Sequence, residues 1–280
     1  MISYRICTLY SGSGGNSTYI EAVGKKILID AGKNARSLCR ALSEIGSDIG
    51  DIDAIFITHE HTDHVSALEI ISKKYEIPIH IAAKSAERFD REPAAFVHKN
   101  LVRHDEEYEV CVGDMRIRSF RTPHDSMMSV GYRIDFCDAD GEHSVGLATD
   151  IGYVTRGICR ALEGCEAVVI ESNHDEDMLK RGSYPYDLKK RILSNRGHLS
   201  NKSSAAFCAH LSSCGARAFL LAHLSEENNT PELALDEFIS AIADPSVAVT
   251  VASADAPTDM IFFEECNNYA FGEDNNSGNT

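Results

Sequence analysis

The segment His59-Glu60-His61-Thr62-Asp63-His64 directly follows the apolar, β-branched run 54–58. Residues two apart in an extended segment point to the same side of the chain, so His59 and His61 can grip one metal ion. The chain then turns into a helix, which aims Asp63 and His64 differently, towards a second ion. Imidazole with carboxylate suits zinc, manganese or iron. With 12 histidines in 280 residues, the pattern arises by chance in roughly one or two chains per thousand, so it is specific. A two-ion site needs further donors, and three stand at the ends of apolar strands. His124 follows strand 115–120, Asp150 ends strand 144–148, and His223 ends strand 218–222. Sheet proteins place functional groups at such ends.

Working outward, strand-like and helix-like segments alternate. Residues 5–10, 18–23 and 26–29 read as strands between glycine-rich turns. Residues 34–45 carry Leu38, Ala41, Leu42 and Ile45 at helical spacing. A helix is expected over 65–75, stopped before Pro78, and strands over 79–82 and 130–136. In the second half, 167–171 is a buried strand, 187–194 a short basic helix, and Ser200 caps a helix to about Leu211. Thr230-Pro231 opens a helix to about Ala243, and 247–251 is the last strand read. The tail from Asn267 is polar and expected to be disordered. Strands with helices between them give a layered α/β protein of one domain, 1–266, followed by the tail 267–280.

The composition is that of a globular chain, 43% hydrophobic and 25% charged. No stretch reaches the length of a membrane span. The N-terminus lacks the basic-then-apolar pattern of a secretory signal. The nine cysteines are scattered without a CxxC, which reads as reduced, buried thiols in a cytoplasmic protein rather than a metal site. The net charge of −16 opposes tight nonspecific binding of nucleic acid. The charge is uneven, however. Lys180, Arg181, Lys189, Lys190, Arg191, Arg196 and Lys202 lie within 23 positions with one acid, Asp187.

The cluster, followed by a lone His, a lone Asp and a lone His, resembles the metallo-β-lactamase superfamily. Leu28-Ile29-Asp30-Ala31-Gly32 is similar to its first motif, in which the aspartate braces the histidine loop. The likeness extends to the branch of the WalJ (YycJ) type over roughly residues 4–252. It is carried by Ser11-Gly12-Ser13-Gly14-Gly15-Asn16-Ser17, Glu171-Ser172-Asn173-His174-Asp175, Gly197-His198-Leu199-Ser200-Asn201 and the stretch from Leu221 to Asn229. A departure is Tyr184-Pro185-Tyr186, where that branch often has tryptophan.

The resemblance implies a four-layer αββα sandwich with the site at one edge. It implies two divalent ions, zinc or manganese with iron as an alternative. His59, His61, His124 and Asp150 would hold one ion. Asp63, His64, His223 and a bridging Asp150 would hold the other. Asp63 also counts among the catalytic residues. A hydroxide between the ions would attack phosphorus, and His198 would protonate the leaving oxygen. Asn173, His174, Ser200 and Asn201 would line the cleft, and Lys189, Lys190 and Arg191 would offer positive charge to a duplex. The turn 12–15 lacks the GK[ST] of a phosphate loop and reads as a tight backbone turn beside the metals.

The activity implied is a DNA exonuclease of replication or repair, acting 5′ to 3′ on duplex, with DNA favoured over RNA. Only 73 positions separate Asp150 from His223 and 26 separate His124 from Asp150. These gaps exclude the large inserted domain of ribonuclease J and the substrate arm of ribonuclease Z. The competing readings are an RNA-processing nuclease, a hydrolase of small phosphodiesters or thiolesters, and a non-enzymatic metal protein. The complete donor set opposes the last.

Overall fold

The computed structural model describes residues 2–91, 95–139, 141–264 and 270–271. The first half runs β1 (Ile2–Tyr10), β2 (Ser17–Ala22), β3 (Lys25–Ile29), α1 (Ala35–Glu44), β4 (Ala54–Phe56), α2 (Thr62–Val65), α3 (Leu68–Lys74), β5 (Ile79–Ala82), α4 (Ala83–Arg91), α5 (Ala95–Asn100) and β6 (Leu101–His104). The second half runs β7 (Glu109–Val112), β8 (Met115–Arg121), β9 (Val130–Cys137), β10 (Glu142–Ala148), α6 (Arg156–Leu162), β11 (Ala167–Glu171), α7 (Glu176–Arg181), α8 (Tyr186–Ile192), α9 (Asn201–Ser213), β12 (Ala218–Ala222), α10 (Pro231–Ala241) and β13 (Ala248–Val251). Strands β14 (Ile261–Glu264) and β15 (Ala270–Phe271) then return to the first half.

Two sheets result, ordered β15-β14-β1-β2-β3-β4-β5-β6 and β13-β12-β11-β10-β9-β8-β7. In each, an antiparallel portion passes into a parallel one, over β3 to β6 and over β10 to β13. The parallel strands are apolar on both faces because both faces are covered. Along β12, Ala218, Leu220 and Ala222 face the other sheet, while Phe219 and Leu221 face helices. Between the sheets Ile6, Ile20, Ile29 and Phe56 meet Ile117, Tyr132, Leu147 and Val169. Outside the first sheet, Leu38 and Leu42 of α1 and Ile71 of α3 cover Leu28, Ile55 and Ile79. Outside the second, Ile158 of α6, Leu211 of α9 and Phe238 of α10 cover Val168, Ile170 and Phe219. Each such side chain contributes roughly 1.5–3 kcal/mol on burial. The four-layer αββα sandwich is thus the observed fold.

Several sequence expectations change in detail. The helix expected over 65–75 is two helices, α2 and α3, with the break at Ser66 and Ala67. Residues 83–112, unassigned from sequence, hold α4, α5, β6 and β7, and α6 and α7 are likewise additional. β13 is not the last strand, since β14 pairs with β1 at Ile6↔Ile261. Most of the tail 267–280 lies outside the described residues, but Ala270–Phe271 pair with β14. The cysteines are free among the described residues, yet only Cys7, Cys165 and Cys208 are buried. Cys111 and Cys137 sit on strands whose alternate residues face solvent, and they are exposed.

Candidate metal centre

The carboxyl ends of the parallel strands, together with the end of β8, converge on one edge of the sandwich. Such ends are where open α/β sheets bind ligands. Behind β3, Asp30 adopts a left-handed backbone, φ 64°. Its Oδ1 accepts from the Thr58 amide at 2.8 Å, and its Oδ2 from the Thr58 hydroxyl at 2.8 Å. Oδ2 also lies 2.7 Å from His64 Nδ1. Asp30 therefore pins the histidine loop, fixing the His64 ring so that Nε2 faces the centre. The loop is pressed close to the backbone of β3. A Cβ on Gly32 would stand 2.0 Å from the Asp63 carbonyl, so only glycine fits there. At Gly15 (φ 152°), a Cβ would stand 2.4 Å from the Lys33 amide. The 12–15 turn thus serves the tight approach. It also carries Asn16, whose amide Nδ2 is 3.1 Å from Asp63 Oδ2.

His59, His61 and His124 bring their donor atoms within 4.8 Å of one another, as do Asp63, His64 and His223. Asp150, behind β10, stands between the two groups. Its Oδ2 is 3.3 Å from His64 Nε2, and its Oδ1 is 3.7 Å from His124 Nε2 and 3.4 Å from His223 Nδ1. Asp150 and His223 both take left-handed φ values, 54° and 58°. Held conformations of this kind concentrate at functional sites. The His223 amide donates to Ser11 Oγ at 2.6 Å, which ties this ligand to the first sheet.

The residues fit divalent cations. Asp150 Oδ2 is buried and lacks a hydrogen-bond partner, standing 3.3 Å from His64 Nε2. His59 Nε2 and His61 Nδ1 face each other at 2.9 Å with no apolar side chain between them. Burial, reinforced by the charge on His64, holds His59 well below the ordinary imidazole range. Burial likewise lowers His124. Neutral imidazole is the form that binds metal. Burial would lower His64 and His223 as well, but neighbouring carboxylates outweigh it. Asp30 and Asp150 raise His64 well above its usual value, and Asp150 with Glu171 pushes His223 up to about 9. Burial would raise Asp150, yet His223 and His64 hold it well below the usual carboxylate range. The site therefore concentrates negative charge that positive partners must balance.

Glu171, at the end of β11, opens one of the segments that carry the resemblance but has no site role attached to it from sequence. It is fully buried. Its Oε1 lies 2.7 Å from His198 Nδ1 and 2.8 Å from His223 Nδ1. Its Oε2 accepts from the amides of Ile151 at 2.8 Å and Leu199 at 3.1 Å. Burial alone would raise its pKa, but His198 and His223 pull it down to about 2. The available signal was the one used for Asp150 and His223, a polar residue ending an apolar strand. Asn16 and Ser11 were also missed as individual contacts, although their turn was singled out.

His198 borders a cleft of about 180 Å³ with Asp125, Asn173, Tyr184, Arg191 and His223. The remaining substrate-side expectations divide. Asn173 lines the cleft, and its Nδ2 donates to the His223 carbonyl at 2.8 Å. Arg191 lines it while paired with Asp125. Lys189 instead donates to the carbonyls of Lys180 and Gly182, at 2.9 and 2.7 Å. Lys190 is exposed and does not line this cleft. His174 is buried and bridges through its backbone to Ser200. Ser200 caps α9, and Asn201 bonds Ser172 and Asn229 in a buried amide cluster. Those three hold the chain around Glu171 and His198 rather than facing the cleft.

The fold and this donor set define a class. A family model described as "Beta-lactamase superfamily domain" matches residues 25–224, and the chain belongs to the metallo-β-lactamase superfamily of metal-dependent hydrolases. Within it, the chain belongs to the WalJ/YycJ family. It is 34% identical over 252 residues to exodeoxyribonuclease WalJ of Streptococcus pneumoniae, spanning 89% of this chain and 92% of that one. It is 33% identical over 232 residues to exodeoxyribonuclease YycJ of Bacillus anthracis, spanning 81% and 84%. The crystal structure of the metallo-β-lactamase fold protein YhfI from Bacillus subtilis superposes with a TM-score of 0.69 over 91% of this chain and 98% of that one. At 16% identity, that likeness concerns the fold. Among the described residues, no helix is long and apolar enough to cross a membrane.

Proposed function

We propose that this chain is a metal-dependent DNA exonuclease, acting 5′ to 3′ on duplex in replication or repair, and that it works in the cytoplasm. His59, His61 and His124 would hold one ion, and Asp63, His64 and His223 the other, with Asp150 shared. Zinc or manganese suits the nitrogen and oxygen donors. When bound, the cations supply Lewis acidity and a nucleophilic water at neutral pH. His198 holds a proton for the departing sugar oxygen, and Glu171 fixes its ring by accepting from Nδ1. Arg191 and Asn173, at the cleft, would hold a flanking phosphate of the strand and the strand end.

The observation that carries the reading is the Glu171 carboxylate. It joins a ring outside the two donor groups, His198, to a ligand, His223, at 2.7 and 2.8 Å. Hydrolysis of a thiolester, with its weakly basic leaving group, needs no such proton donor. The net charge of −16 and the small cleft favour the second reading, a small phosphodiester as substrate. Manganese-loaded protein should release mononucleotides from 5′-labelled duplex DNA ahead of RNA. The Arg191→Ala variant should raise KM for DNA and flatten its salt dependence, with turnover of bis(p-nitrophenyl) phosphate unchanged. Cleavage of the small diester alone, with every nucleic acid left intact, would overturn the reading.

A further inference from the structure

On the outer face of the second sheet, α6 and α9 pack on a shared apolar floor. Their carboxyl ends bring four metal-capable side chains together, away from the centre described above. Cys159 and Glu163 are four apart at the end of α6, and His210 and Cys214 are four apart at the end of α9. That spacing puts each pair on one helical face. Helix carboxyl ends also carry partial negative charge, which favours a cation.

We propose that Cys159, Glu163, His210 and Cys214 form a zinc site that ties α6 to α9. His210 Nε2 is 2.9 Å from Glu163 Oε1, 3.3 Å from Cys159 Sγ and 3.8 Å from Cys214 Sγ. Cys159 Sγ is 3.1 Å from Glu163 Oε1. Cys159, Glu163 and His210 hold their donor atoms within 4.8 Å of one another, and Cys214 Sγ stands beside the shared His210 Nε2. A tetrahedral ion with bonds of about 2.0–2.3 Å has edges of about 3.3–3.8 Å between its ligand atoms, so the first three are near ligand spacing and Cys214 reaches the fourth place by turning its side chain. An ordinary His–Glu ion pair accounts for one of these contacts only. A ring nitrogen has one proton or one lone pair, so it cannot serve a carboxylate and two thiols at once. A shared ion in their midst satisfies all four. Thiolate with imidazole selects zinc over the oxygen-seeking cations. The His210 and Glu163 side chains are 45% and 40% exposed, which leaves a path for the ion. The chain enclosed between the two pairs carries Glu171, Arg191 and His198, so the clamp braces the segment that supplies the proton donor.

Cobalt reports this site separately, because the catalytic donor groups contain no sulfur. Full-length protein, prepared under reducing conditions and loaded with Co²⁺, should show near-ultraviolet thiolate-to-cobalt absorption that saturates at one such ion per chain and is displaced by Zn²⁺. Cys159→Ser and Cys214→Ser should each lose about half of that band or more, bind zinc at this site more weakly, and melt several degrees lower, and the double variant should lose the band altogether. Cys111→Ser, which removes an exposed thiol elsewhere, should keep it. The proposal is overturned by cobalt-loaded wild type without the band, which requires no variant to fold. It is equally overturned by a band undiminished in both serine variants, or by mass spectrometry showing Cys159 and Cys214 joined as a disulfide in that preparation.

Discussion

Glu171→Gln tests the site at its most connected point. Glutamine keeps the shape but offers one carbonyl where two acceptor oxygens are needed. With that carbonyl towards His198 and His223, the new NH₂ meets the amides of Ile151 and Leu199, two buried donors now lacking acceptors. With the side chain flipped, both rings lose their acceptor instead. Each buried unsatisfied group costs about 1–3 kcal/mol, so destabilisation of about 2–6 kcal/mol is expected. Loss of orientation at His223 should weaken metal binding by about 10–100-fold. Loss of orientation at His198 removes part of a general-acid contribution of about 10²–10⁴. The assay compares duplex DNA with bis(p-nitrophenyl) phosphate at saturating manganese, where occupancy is restored. DNA cleavage should fall by about a hundredfold or more, and the activated diester far less, because p-nitrophenolate leaves without a proton. In a His198→Ala background the same substitution should cost little further rate. Equal losses on both substrates, or a full additional loss in that background, would refute the assignment of Glu171 to proton delivery.

Two further outcomes follow from the same geometry. Asp150→Ala and Asp150→Gly should both lose metal. The glycine variant should be more stable than the alanine variant by about 1 kcal/mol, because only glycine accepts φ 54° without strain; elemental analysis showing two ions retained in either variant would remove Asp150 from its bridging place. In metal-stripped protein, His223 is raised from 6.5 to about 9. Its contribution is complete below pH 6.5 and is lost as pH climbs to 9, a decline of order 3 kcal/mol. Urea midpoints measured across that window should fall in the wild type and fall less steeply in His223→Asn, where the raised His64 still titrates, and a flat wild-type profile would contradict the shift.

The candidate metal ligands were legible as a group because their signal is local. His59, His61, Asp63 and His64 sit within six positions, and His124, Asp150 and His223 each end an apolar strand. Glu171 carries the same mark and opens one of the segments that carry the resemblance, but it was given no role in the site, since a single carboxylate has no partner pattern in sequence. Its partners lie 27 and 52 positions away. The substrate-side residues fared unevenly for a related reason. A basic run shows charge but not direction, and Lys189 turns inward to the carbonyls that end α7. Ser200 and Asn201 were read as facing the cleft, whereas capping and amide pairing claim their side chains. The left-handed backbones at Asp30, Asp150 and His223 left no mark at all, because none is glycine.

The return of β14 to the edge of β1 has a consequence for the order of synthesis. Strand β1 borders the segment that ends the described fold: the Thr8 amide donates to Thr258 Oγ1, and the Ser11 amide to the Ser253 carbonyl. Ser11 in turn receives the amide of His223. On the ribosome, the open edge of β1 must therefore wait through the translation of more than two hundred intervening residues. The cluster at 59–64 emerges early and His124 and Asp150 near mid-chain, but the last candidate ligand, His223, and the contacts that seat it arrive with the last quarter of the chain. A nascent chain thus carries histidines without a centre, and hydrolytic competence comes only when the two ends of the polypeptide meet.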